Sequence, residues 1–230
     1  MSEISSNRVI LAIESSADMA SAAVLTADGA VVQRAHMARH GHAAQITELA
    51  RAALSDAGLG ADDLTHVAAG RGPGSFTGIR VALAAAKGFV IATGASGIGV
   101  SCLAAMAHAA RAFQGNDGGT VLATADTRRG SYFAQLFDAA GVADGDIAEI
   151  DPEAPAGRPA SWQGALVTGA GAAQVAAAFP DGGLIPLADV GPLDAAQVAR
   201  LAAARLATGG ALDPLLPLYV APAFLGSSKP

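Results

Sequence analysis

Apolar and polar positions change rhythm several times along this chain, and each change marks an element. Residues 9–13 are an unbroken apolar run ending at Glu14, which predicts a short buried strand. Residues 21–25 predict a second strand and 30–37 a third, joined through "TADGA" (26–30), where Asp28-Gly29 is a hairpin signal. Ile46, Leu49, Ala50, Ala53 and Leu54 then recur at helical spacing, and Gly58 supplies the stop. Residues 65–69 read as another strand. A long helical run follows from about Ser75 to Thr93, then a strand at 97–100 and a helix capped by Ser101 that ends near Phe113. The predicted order is β-β-β-α-β-α-β-α.

The pattern restarts after "FQGNDGGT" (113–120), a polar, glycine-rich stretch that predicts a lobe boundary. Displaced by 112 positions, "VILAIESSADMASAAVLTADG" (9–29) lies on "VLATADTRRGSYFAQLFDAAG" (121–141) without a gap. Glu14 falls on Asp126, Leu25 on Phe137 and Gly29 on Gly141. Both copies give an apolar strand, an acid at its end, a short loop, a second strand and a closing glycine. A duplicated lobe follows, each copy opening with a β-β-β-α unit: 1–113, a smaller 114–220, and a tail at 221–230. Within the second lobe, 165–168 predicts a strand and 172–179 a short helix. Asp194 and Gln197 resemble a capping box whose helix runs to about Thr208 and stops at Gly209-Gly210. This helix (193–208) belongs to the second lobe by sequence, with packing back onto the first as the alternative. "PLLPLYVAPAFLGSSKP" reads as extended and partly free. The fold class is therefore α/β, and two lobes opening with acid-bearing hairpins resemble the actin-like, sugar-kinase and Hsp70 ATPases. In those, both hairpin loops hold phosphates and acids hold the metal.

Composition narrows the function. The chain has 230 residues, 52% hydrophobic and 15% charged, enough for one sizeable core or two small lobes. The net charge of −6 argues against a protein that grips a nucleic-acid backbone by itself. Cys102 is the one cysteine, so no intramolecular disulfide forms, and a reducing compartment fits. The N-terminus lacks a signal-peptide layout and no run reaches about 18 apolar residues. A cytoplasmic location is expected.

The most specific text is "GRGPGSFTGIR" (70–80). It is not a P-loop: the lysine, Lys87, lies nine residues after Gly78. Gly72, Gly74 and Gly78 approach a dinucleotide fingerprint, but no Asp or Glu stands between Asp63 and Asp117 to hold a ribose, and three strands and a helix precede the loop. Two readings remain. The loop starts a helix capped by Ser75 or Thr77, its glycines letting the backbone turn. The helix itself is apolar nearly all round, with only Arg80 and Lys87 charged, so it is buried on more than one side, the second side by a partner.

Other candidates are weaker. His36 and His40 have the spacing of a helical metal pair, yet on a strand four residues span about 13 Å, and Gly41 breaks the segment. Glu14, Asp18 and Asp126 have the chemistry of a magnesium site, but the hairpin loop "ESSAD" has no glycine and "DTRRG" only one, with the bulk of Arg128 and Arg129. Cys102, near a helix N-terminus, is more in keeping with a buried residue than with a thiol nucleophile.

"GRGPGSFTGIR" resembles the signature of the TsaB (YeaZ) family of tRNA threonylcarbamoyladenosine biosynthesis proteins. "ILAIESS" resembles its opening strand, "GVSCLAAMA" its post-loop helix, "ATADTRRGSYFAQLF" its second hairpin and "PLY" its C-terminal P-x-Y, in family order from about 9 to 219. The resemblance implies a two-lobed actin-like fold without working ATPase machinery. It implies a non-catalytic subunit, with no cofactor or metal of its own, required by the paralogous transferase TsaD and the ATPase TsaE. The product is the threonylcarbamoyl group on adenosine 37 of tRNAs reading ANN codons, with tRNA met only through the complex. A small-molecule kinase or ATPase of the same fold is the alternative. Helices of the first lobe are expected to contact TsaD, or a second copy in a competing homodimer. The interface residues expected are Ile46, Leu49 and Ala53 on one helix and Ser75, Phe76, Ile79, Ala82, Leu83 and Ala86 on the next. Gly70, Arg71, Gly72, Gly74, Gly78 and Arg80 are the expected loop scaffold. The chain departs from the family pattern at Glu14, where Asp is usual, at Thr127, where Ala is common, and at Val220-Ala221, where an arginine is lost.

Overall fold

The computed structural model describes residues 8–37, 42–115, 119–157, 159–188 and 190–220. The first lobe runs β1 (Ile10–Glu14), β2 (Met19–Leu25), β3 (Val31–Met37), α1 (His42–Asp56), β4 (His66–Gly70), α2 (Phe76–Thr93), β5 (Ser96–Val100) and α3 (Cys102–Phe113). The second runs β6 (Val121–Asp126), β7 (Tyr132–Phe137), β8 (Ala143–Ile150), β9 (Leu166–Gly169), α4 (Ala172–Ala178) and β10 (Ile185–Pro186), and α5 (Ala195–Thr208) follows.

Each lobe holds a five-stranded sheet, and the two share one plan. The orders are β3-β2-β1-β4-β5 and β8-β7-β6-β9-β10. In both, the opening three strands are antiparallel and the last two join in parallel beside the first. The duplication read from the sequence is thus the architecture of the molecule. It is not a gapless copy: Glu14 pairs with Ser21, whereas Asp126 pairs with Tyr132, so the second hairpin closes one residue earlier. The helix that follows β3 has no full counterpart after β8, where a single 3-10 turn, Ala160–Trp162, stands in.

The strand period of two decides what the first sheet buries. Leu11, Ile13, Ala20, Ala22 and Val24 face α1 and α2. Ile10, Ala12 and Ala23 face the other way, into a core shared with α3, α5 and the β6 residues Val121, Ala123 and Ala125. α5 packs on β1 and β2 and against α3, which in turn packs on β6. The first-lobe sheet also holds the start of α5. Ala195 N donates to Ser21 Oγ at 2.9 Å, Ala196 N to Gln33 Oε1 at 2.9 Å and Gln197 N to Asp194 Oδ1 at 2.8 Å. Three N–H groups that the helix cannot satisfy are thereby satisfied. Only half of the expected capping box forms: Gln197 Nε2 donates to Pro192 O, and Gln197 Oε1 is buried with no hydrogen-bond partner among the described residues.

By length and composition α2 is apolar enough to cross a membrane, with a mean hydropathy of 1.4 over 18 residues. Arg80 and Lys87 interrupt its apolar run without lowering the average far enough. Ile79, Ala82, Leu83 and Ala86 on its inner face are buried in the first-lobe core.

Candidate functional site

The glycine loop joins β4 to α2, and several of its main-chain donors serve the protein itself. Arg71 N donates to Val100 O at 2.9 Å, Gly72 N to Cys102 Sγ at 3.3 Å and Ser75 N to Ser16 O at 2.8 Å. Ser75 is the cap, its hydroxyl accepting from Gly78 N at 3.2 Å. Gly72 and Gly74 sit at φ of 105° and 156°, where side chains are strained. Gly78 is required for another reason: a Cβ there would overlap Ser15 O. Ser15 Oγ also donates to Gly78 O at 2.8 Å, so the first turn of α2 is pressed onto the β1–β2 loop.

The loop has an intramolecular occupant. Leu218 N donates to Arg71 O at 2.7 Å, and Arg71 Nε donates to Leu216 O at 3.0 Å. The Arg71 guanidinium pairs with Asp213 at 2.7 Å, and Gly99 N donates to Asp213 O at 2.7 Å. Leu215 is buried in the first-lobe core. Residues 213–219, expected to be partly free, therefore form a strap along the glycine loop. Its last ring, Tyr219, reaches α2: Arg80 Nε donates to the Tyr219 hydroxyl at 3.0 Å, and Tyr219 stacks on Phe76 with centroids 5.5 Å apart. The irregular strap carries no periodicity, and Asp213 and Tyr219 were missed as site residues; the "PLY" triplet was the one signal in it.

Below the loop lies a buried polar cluster. Glu14 is fully buried, and its carboxylate accepts from Ser16 N and Ser16 Oγ. Cys102 Sγ donates to Glu14 Oε2 at 3.6 Å. Burial raises the Glu14 pKa against the pull of the Ser16 and Cys102 hydrogen bonds. Burial, and then the Glu14 charge, push the Cys102 thiol well above its ordinary range, which suits an inert thiol.

A cavity of about 470 Å³ opens between the lobes, lined among others by Asp18, Gly74, Met106, Asp126, Arg128 and Gly169. Its cation is built in. Arg128, at φ 64°, reaches across to Asp18 at 2.8 Å and lies 3.8 Å from Asp126. Its backbone N–H donates to Asp126 Oδ1 at 2.7 Å. A magnesium-nucleotide does not fit these residues. Glu14 is sealed in the core, the glycine-loop donors named above are engaged, and a guanidinium stands between the remaining carboxylates. Among the described residues no group of three or more His, Cys, Asp or Glu is placed to hold a metal. His36 is exposed on β3, and His40 lies outside the described residues.

The expected interface residues divide. Ile46, Ala53, Ile79, Ala82, Leu83 and Ala86 are buried beneath α1 and α2, so they pack the sheet and have no surface to offer. Leu49 and Ser75 are half-buried and Phe76 is exposed. The open face of α2 is carried by Phe76, Thr77, Arg80, Ala84, Lys87, Gly88 and Ile91. Of the scaffold residues, Arg71, Gly72, Gly74 and Gly78 belong to the loop geometry above, Gly70 ends β4 against Glu14, and Arg80 lies on the Phe76 ring.

The family model of tRNA N6-adenosine threonylcarbamoyltransferase, TsaD, matches residues 24–150, more than half of the chain. The tRNA threonylcarbamoyladenosine biosynthesis protein TsaB of Escherichia coli is 34% identical over 163 residues, 69% of each chain. The chain belongs to the TsaB family. An uncharacterized protein of Mycobacterium tuberculosis is 31% identical over 216 residues, 92% of this chain and 90% of its own length. The solved structure of YeaZ from Pseudomonas aeruginosa superimposes with a TM-score of 0.76 at 26% identity, covering 93% of this TsaB-family chain and all of that one.

Proposed function

We propose that this chain is a non-catalytic subunit of tRNA threonylcarbamoyladenosine synthesis in the cytoplasm. It acts with a TsaD-type transferase and TsaE on adenosine 37 of tRNAs reading ANN codons. The observation that carries the reading is the 34% identity to Escherichia coli TsaB across 69% of both chains. The site supports it: the glycine loop is filled by the chain's own strap, and the opening acid is buried instead of facing the cleft. ATP and metal then belong to TsaD and TsaE. The chain's own contribution is a rigid surface on the open face of α1 and α2. A TsaD-type partner binds there, and a second copy of the chain competes for it. Contact with tRNA is indirect.

Reconstitution tests the reading. The chain alone should modify no tRNA. A mixture of TsaD, TsaE and the enzyme that makes threonylcarbamoyl-adenylate should form the modified base only when the chain is added. Full activity without it would refute the assignment.

A further inference from the structure

We infer that the Phe76–Arg80–Tyr219 stack anchors the partner by presenting the Arg80 guanidinium to a carboxylate side chain of the partner protein. The inference rests on the reading above, in which a TsaD-type chain covers α2, and adds the contact residues and their chemistry.

The guanidinium is held ready. Arg80 Cζ lies 3.8 Å from the centroid of the Phe76 ring, and Nε donates to the Tyr219 hydroxyl at 3.0 Å. The two rings stack with an interplanar angle of 29°. Both are open to solvent, Phe76 at 41% and Tyr219 at 46%. The terminal nitrogens of Arg80 have no hydrogen-bond or ion-pair partner among the described residues. A planar guanidinium fixed on an aromatic face, with its outer fork open, is built for bidentate carboxylate recognition and has lost little freedom by binding. Arg and Tyr are also among the side chains that dominate protein interfaces.

The surroundings select the occupant. Leu216 on the strap and Ile91 along α2 are exposed, at 52% and 85%, so the surface suits a protein better than a nucleic acid. The net charge of −6 points the same way. Arg80 and Lys87 are the only charges on α2. A second copy docked α2 on α2 would bring cation to cation, which favours a different chain that carries acids. The strap positions the stack from behind, because Arg71 pins residues 213–218 and so places Tyr219.

The test titrates the full-length chain with TsaD from the same cell at low and high salt. Arg80→Gln should weaken binding about tenfold to a hundredfold and remove most of the salt dependence. Arg80→Lys should fall between, since an ammonium lacks the fork. Tyr219→Phe should cause a smaller loss, with an unchanged melting temperature in each variant. A reversed acid on the TsaD face should be rescued by Arg80→Glu. If wild type binds TsaD and Arg80→Gln binds equally at both salts, the anchor is wrong and the proposed function stands. If wild type does not bind TsaD at all, the proposed function itself fails. If the variant keeps TsaD but the assembled complex loses tRNA, Arg80 meets phosphate and the carboxylate assignment is overturned.

Discussion

The Glu14 carboxyl stands where a side chain on Gly70 would be. A Cβ on Gly70 would overlap Glu14 Oε2, lie 2.8 Å from its Cδ and lie 3.3 Å from Cys102 Sγ. These atoms belong to β1, β4 and α3, so the end of the first strand and the entry to the glycine loop are fitted to one another. Gly70→Ala should cost about 1–3 kcal/mol as an overpacked buried site. The Glu14→Asp background, which withdraws the carboxyl by one methylene, should recover part of that cost. Urea melts of the two single variants and the double variant measure the coupling, and strict additivity would show that the two residues do not compete for space.

Glu14 also gives stability a pH dependence of unusual sign. Burial raises its folded-state pKa above the ordinary 4.5. Between the unfolded and folded values the folded chain holds the proton and the unfolded chain does not. Stability therefore falls as pH rises above 4.5, until the folded pKa is passed. The slope from this one group is at most about 1.4 kcal/mol per pH unit. Glu14→Gln keeps acceptors for Ser16 and has no proton to lose. Its stability relative to wild type should grow across that window, and parallel stability–pH curves for the two proteins would contradict the assignment.

The interlobe cleft should not bind Mg·ATP in the isolated chain. Arg128 already pairs with Asp18 and lies 3.8 Å from Asp126, so a magnesium ion would have to displace the guanidinium to reach either carboxylate. Calorimetry with Mg·ATP should give no heat of binding at concentrations where TsaE binds. Tight binding would restore the kinase alternative.

Residue chemistry explains which parts of this structure are readable in sequence. The hairpins are plain because Ile10–Glu14 and Val121–Asp126 are apolar strands with acids at their ends. The starts of α2, α3 and α5 are plain because Ser75, Ser101 and Asp194 cap through side chains whose effect is local. The orientation of α2 is not, because alanine sits equally well on either face of a helix: Ala82 and Ala86 are buried while Ala84 is exposed. β8 is hidden for the opposite reason. It is an edge strand whose Asp144, Asp146 and Glu149 keep it polar, which guards the open sheet edge and removes the alternation that would announce a strand. Beyond its "PLY" triplet the strap is unreadable, because its hold depends on Arg71, more than 140 residues away.

That ambiguity of alanine sets up the sharpest test of the interface. Ala82 has no exposed surface and packs with Ile79, Leu83 and Ala86 against the first-lobe sheet. Ala82→Glu would bury an unpaired charge and should unfold the lobe or cost several kcal/mol. Ala84, two residues on, points to solvent on the same face as Arg80 and Lys87. Ala84→Glu should leave the melting temperature within a degree or two, as exposed substitutions do. In the complex, the same carboxylate would be desolvated one turn from Arg80 and Lys87, where it would compete with the partner's acid for the Arg80 guanidinium. TsaD affinity should then fall by roughly a hundredfold, several kcal/mol of desolvation set against whatever rearrangement the partner allows. Circular dichroism melts and a binding titration on both variants separate the outcomes. A folded Ala84→Glu chain with undiminished TsaD binding would place the contact elsewhere on the molecule and leave the open face of α2 without a partner.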